Sequence, residues 1–84
     1  GPLNEEVFEA LRAWRKDTAR EHGVPAYTVF HDSTLQAIAT VLPRSLDDLN
    51  GIPGIGATKL ARYGASLIDI VSRLAPDAPA TRQA

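Results

Sequence analysis

Apolar side chains recur at Val7, Leu11, Trp14 and Thr18, with Phe8 and Ala10 widening the stripe, and that spacing predicts an amphipathic helix over residues 5–21. Asn4 is placed to cap it, Glu5 and Glu6 sit where the helix dipole favours negative charge, and Leu3 can staple onto Phe8. Gly23 stops the helix and Pro25 keeps it stopped. Residues 22–31 then read as a loop too apolar for a floppy linker. Val24, Val29 and Phe30 are expected to turn inward, while Ala26-Tyr27-Thr28 rides over the outside.

Asp32 is expected to cap a second helix through Val41, with Leu35, Ile38, Ala39 and Leu42 facing the core and Pro43 ending it. Ser45-Leu46-Asp47-Asp48 has the form of a capping box with Asp in place of Glu, and opens a short third helix. Leu49 and Ile52 continue its apolar face until Pro53 forbids further helix, and Gly54 and Gly56 supply a tight turn. Leu60 and Ala61 resume the apolar face in a fourth helix over residues 57–63, closed by Gly64. Ser66 caps a fifth, carrying Leu67, Ile70, Val71 and Leu74 and ending before Pro76. No stretch alternates as a strand and no repeat is present. The predicted fold class is all-α, a compact bundle of five short helices around one core.

Composition narrows the chemistry. The 84 residues make one domain, with no cysteine to form disulfides, thiolates or cysteine-ligated zinc. No apolar run approaches the roughly 20 residues that span a bilayer and no signal-peptide pattern is present, so a soluble protein of the cytoplasm or nucleoid, or of a eukaryotic nucleus, is expected. Gly1-Pro2, with no methionine in the chain, reads as a protease-cleavage scar on a module of a longer protein. The helical domain should occupy residues 3–75, and residues 76–84, aperiodic and rich in Pro, Ala, Thr and Gln, should be a disordered tail or linker.

Enzymatic readings fail on inventory. His22 and His31 lack the spacing of a metal pair, and Gly51, Gly54 and Gly56 match neither a Rossmann nor a P-loop fingerprint. Asp47 and Asp48 are adjacent on a helix start, so their carboxylates splay apart. No catalytic residue, metal or cofactor is expected.

Charge is more informative in its distribution than in its total of −1. Residues 1–48 carry eight acidic and five basic side chains, while residues 49–84 carry two acidic and four basic. The cationic half holds the glycine turn. With no side chains at Gly54 and Gly56, the amides that open the next helix, around Thr58, are uncovered and form a local anion site. Lys59 and Arg62 lie three apart beside it. The same glycines could equally serve close helix packing. A second basic group, Arg12, Arg15, Lys16 and Arg20, ends the first helix, where it either complements the dipole or meets phosphate.

The run Leu49-x-x-Ile52-Pro53-Gly54-Ile55-Gly56-x-x-x-Leu60-Ala61 resembles the helix-hairpin-helix motif, which implies backbone contact to nucleic acid without sequence reading. The wider chain, about residues 3–74, resembles the HRDC (helicase and RNase D C-terminal) domain. The residues that carry this are Leu11-Arg12-x-Trp14-Arg15, Val24-Pro25-x-Tyr27-x-Val29-Phe30-x-Asp32-x-Thr34-Leu35, Leu42-Pro43-x-Ser45 and Gly54-Ile55-Gly56-x-x-Lys59-x-x-x-Tyr63-Gly64. The resemblance implies a non-catalytic accessory module of a RecQ-type DNA helicase, or alternatively the RNA-binding accessory domain of an RNase D-like exonuclease. It also implies that Tyr27 contacts single-stranded DNA, with Thr28, Arg15 and Arg20 around it and Gly54, Gly56, Thr58, Lys59 and Arg62 on the hairpin. A Tyr27 packed over Trp14 instead is the competing placement.

One departure stands out. Glu5, Glu6 and Glu9, with Asp47 and Asp48, form an acidic set that would repel a phosphodiester chain and could dock on the parent helicase core or a sister domain. The expected partners are therefore weakly bound single-stranded or partial-duplex DNA and other parts of the same polypeptide, with the domain itself a monomer and no membrane involved. Affinity no tighter than about 10 μM is expected near physiological salt.

Overall fold

The computed structural model describes residues 2–76. Gly1 and most of the segment expected to be a tail lie outside the described residues. Five helical segments follow one another: α1 (Glu5–His22), α2 (Ala26–Val29), α3 (Asp32–Val41), α4 (Leu46–Leu49) and α5 (Ala57–Leu74). No strand occurs among the described residues, and no helix there is long and apolar enough to cross a membrane.

The ends of α1 follow local chemistry. The Asn4 side chain accepts from Val7 N at 2.9 Å, and Gly23, at φ 66°, donates back to the last turn. Asn4 N also donates to Ala39 O at 3.0 Å, which ties the start of α1 to α3. The stripe predicted for α1 is buried at Val7, Leu11 and Thr18, and Trp14 packs half-buried against the same core.

Four of these segments account for the five predicted helices. The helices expected over residues 57–63 and from Ser66 are one, α5, which runs through Gly64 without a break. Glycine costs a helix interior about 1 kcal/mol relative to alanine, but here the missing side chain is what α4 packs against. A Cβ at Gly64 would lie 2.7 Å from Leu46 Cδ2 and 3.3 Å from Leu60 Cδ1. Tertiary contact thus overrides the local stop signal. The fifth segment is instead α2, a single turn inside the stretch read as a loop, in which Thr28 N donates to Pro25 O at 3.1 Å. It buries Val29 and the following Phe30 and leaves Tyr27 exposed. Val24, expected inside, is 40% exposed.

Three smaller corrections follow the same logic. Ala61 is exposed, so only Leu60 resumes the apolar face after the turn. His31 and not Asp32 is the N-cap of α3, without a side-chain cap bond. At Ser45 half the capping box forms: Asp48 N donates to Ser45 Oγ at 3.1 Å, while Asp48 Oδ2 accepts from Arg44 N, one residue early, at 3.0 Å. α3 ends on Leu42, held in the left-handed region at φ 54° with its N–H on Ile38 O and Pro43 buried beyond it.

Candidate nucleic-acid interface

The glycine turn is built around an apolar lining. Leu49, Ile52 and Ile55 are buried and carry the chain from α4 into α5. Gly54 takes φ 94°, and the preceding carbonyl, Pro53 O, accepts from Thr34 Oγ1 at 3.1 Å, fastening the turn to the first turn of α3. A Cβ at Gly54 would drive into that hydroxyl. Gly56 differs: it has ordinary extended backbone (φ −86°, ψ 177°) as the N-cap of α5, and a Cβ there would meet nothing within 4 Å. The two glycines therefore divide the readings the motif left open. Gly54 serves packing, and the open backbone lies at Gly56 and the amides after it, which as the first turn of α5 have no partner within the helix. Thr58 is exposed there.

Lys59 joins this turn to a stretch far away in sequence. Its Nζ donates to Thr28 O at 3.0 Å and sits 5.4 Å from the centre of the Phe30 ring. Tyr27 is the neighbouring residue, 62% exposed. It does not pack over Trp14. Its ring lies against His31, centroids 6.2 Å apart and planes 22° from parallel. Beneath this surface Trp14, Phe30 and Tyr63 form a cluster with centroid spacings of 6.1, 5.4 and 5.7 Å. Such tilted and edge-on pairs add stiffness where the exposed ring is mounted.

The cations fall into distinct roles. Arg15 is turned inward, its side chain 12% exposed, with one terminal nitrogen on Phe30 O at 2.9 Å and the other on Asp32 Oδ1 at 2.7 Å. It braces the backbone of the aromatic stretch. Arg62 is exposed and lies 5.2 Å over the Tyr63 ring. Arg20 is exposed and pairs with Asp17 at 3.6 Å, and the contacts that knit the cluster together do not include it. Arg12 and Lys16, exposed on α1, line a shallow groove with Glu9 and Ala26 that leads to the start of α2. Thr28 donates its hydroxyl to Pro25 O at 2.6 Å, so toward a ligand it can only accept.

The acidic residues have local explanations. Glu5 and Glu6 occupy the first turn of α1 and Asp47 and Asp48 that of α4, where the helix dipole favours them. Glu9 pairs with Arg12 at 3.4 Å. They sit on separate elements, α1 packed on α2, α3 and α5, and α4 on α5.

A family model described as the HRDC domain matches residues 4–71. The chain belongs to the HRDC family. Among relatives of this HRDC domain, the ATP-dependent DNA helicase UvrD2 of Mycobacterium tuberculosis is 49% identical over 69 residues, 82% of the chain and 10% of the helicase. The ATP-dependent DNA helicase RecQ of Bacillus subtilis is 46% identical over 61 residues, 73% of the chain and again 10% of the helicase. The chain thus spans about a tenth of the length of these relatives, which are of both the UvrD2 and the RecQ kind. In three dimensions it superposes on D. radiodurans RecQ HRDC domain 3 with a TM-score of 0.82 at 35% identity, covering 89% of this chain and 97% of that one.

Two features of the surface escaped the sequence reading: the stacking of His31 on Tyr27, and the bond from Lys59 to Thr28. The first had only proximity as a signal. Tyr27 and His31 are close in sequence, although Phe30 in extended backbone (φ −155°, ψ 150°) separates His31 from α2, so helical spacing does not predict the pairing. The second had none, because it joins residues 31 apart.

Proposed function

We propose that this HRDC domain is a non-catalytic accessory module of a RecQ- or UvrD-type DNA helicase, engaging single-stranded or partial-duplex DNA weakly and without sequence preference. The observation that carries the reading is the convergence of an exposed aromatic, Tyr27, with the cationic start of α5 through the Lys59 bond to Thr28. A base stacks on the Tyr27 ring for roughly 1 to 3 kcal/mol, and the adjoining phosphates meet the open amides after Gly56 and the charge of Arg62. The helicase relatives favour this parent over an RNase D-like one. With a net charge of −1, only a few phosphates are neutralised at once, so affinity stays no tighter than about 10 μM near physiological salt. Tethering to a helicase core raises the local concentration to roughly millimolar, where such contacts count.

The reading is checked by titrating the chain with labelled single-stranded and partial-duplex DNA at low salt. Tyr27→Phe is expected to keep most of the affinity, and Tyr27→Ala to lose about fivefold or more with its fold intact. A folded Tyr27→Ala variant that binds as the wild type does would refute it. A separate expectation concerns charge. Arg62→Gln should weaken binding equally for all base sequences and flatten the salt slope by roughly one unit. Lys59→Gln should do more, since it also releases Thr28. Sequence-dependent loss in Arg62→Gln would count against a backbone clamp.

A further inference from the structure

Tyr27 is one of two rings on this surface. The His31 ring lies beside it, near parallel with centroids 6.2 Å apart, and both are exposed. The backbone on either side of His31 is pinned from α1, because Arg15 holds Phe30 O at 2.9 Å and Asp32 Oδ1 at 2.7 Å. His31 gives its own carbonyl to α3, accepting from Thr34 N at 3.1 Å and Leu35 N at 3.3 Å, and its imidazole makes no cap bond. The backbone is therefore fixed while the ring is left to the surface. A ring that only capped α3 would bond its amides; this one stacks on the exposed tyrosine instead.

We infer that His31 is the second ring of the single-strand platform and that its protonation adds a cation there, so that single-stranded DNA is held more tightly as the pH falls. The inference rests on the DNA-binding reading above. A base laid on the free face of Tyr27 continues the stack, and its flanking phosphates pass the rim, where both imidazolium N–H groups can donate. The surrounding charges leave room for this gain. From α1, Arg15 is paired with Asp32; from α5, Lys59 is bonded to Thr28 O; from α2, the facing group is the Tyr27 phenol. Protonation adds a cation to those of Lys59 and Arg62. Histidine is the side chain whose charge changes between about pH 5 and pH 8.

The test is fluorescence anisotropy of a labelled oligothymidylate with the whole chain at about pH 8 and about pH 5.5, a window in which histidine titrates and thymine takes up no proton. The wild type is expected to bind about two- to fivefold tighter at the lower pH, the worth of one exposed ion pair. His31→Phe should match the wild type at the higher pH and show no response to pH, because it keeps the ring and loses the charge. His31→Ala should bind about fivefold more weakly than the wild type at the higher pH and gain nothing at the lower. His22→Gln, which removes the other histidine, should keep the full response. A persisting pH response in His31→Phe, or wild-type affinity of His31→Ala at the higher pH, overturns the inference. Tyr27→Ala run alongside separates the two readings. If it binds weakly while His31→Ala binds normally, only the role of His31 fails; if it binds normally, the DNA sits elsewhere and the parent reading fails.

Discussion

Gly54→Ala is expected to cost this domain about 3 kcal/mol, from left-handed backbone strain of about 1 to 2 kcal/mol and overpacking of about 1 to 3 kcal/mol. The residue holds φ 94°, and its new Cβ would collide with Thr34 Oγ1, with Thr34 Cβ 3.3 Å away. Thr34 is buried and bonded to Pro53 O, so it has nowhere to retreat. In a domain of this size each kcal/mol moves the melting temperature by about 4 to 8 °C, and a fall of about 15 °C by circular dichroism is the expected result. Gly56→Ala, two residues on, should cost less, about 1 kcal/mol, because no atom opposes its Cβ and the loss is that of a poorer N-cap alone. Equal losses from the two substitutions would contradict the division between a packing glycine and an open one. Thr34→Ala in the Gly54→Ala background should recover part of the loss, because it removes the colliding oxygen; strict additivity of the two costs would show that strain alone is responsible.

Arg15→Ala should remove about 2 kcal/mol and lower the melting temperature by about 10 °C, since hydrogen bonds to charged groups contribute about 1.5 to 3 kcal/mol. Two features hold the figure to the lower part of that range. The Asp32 side chain is 61% exposed, so its ion pair is screened, and Arg15 Nε is buried without a hydrogen-bond partner. Lysine will not substitute, because its single ammonium cannot reach the Phe30 carbonyl and the Asp32 carboxylate in the forked geometry of a guanidinium. DNA binding should weaken as well, through loosening of the stretch that carries Tyr27 and His31, with the salt slope unchanged. A stable Arg15→Ala variant with a flattened salt slope would instead place Arg15 against phosphate.

Arg15 also shows where reading by composition stops. In sequence it belongs to a basic group with Arg12, Lys16 and Arg20, and nothing local separates it from them. In the fold it is the member that α2 and α3 close over, with 12% of its side chain exposed against 49% for Arg12 and 69% for Arg20. Its neighbours keep their heads in water. The same holds for the glycines of the turn, which look alike in the motif and differ in backbone, φ 94° against −86°, and in what stands opposite each Cβ.

The features legible in the sequence are those whose causes lie within one helical turn. Asn4 and Gly23 bound α1 because each bonds amides or carbonyls three to five residues away. Ser45 starts α4 in the same way. The apolar spacing of Val7, Leu11, Leu35, Ile38, Leu67 and Val71 marks the buried faces, all fully excluded from solvent, because burial follows the helical period. The run from Tyr27 to Leu35 is the most specific part of the resemblance to the HRDC family. Only the tertiary structure decided the rest. Gly64 carries α5 onward because Leu46 fills the space of its missing side chain, a contact no local propensity contains. Lys59 reaches Thr28 across 31 residues of chain, and so sets the aromatic turn beside the glycine hairpin. Helix ends answer to backbone groups nearby in the chain, whereas an interface assembled from two distant stretches depends on packing that brings them together.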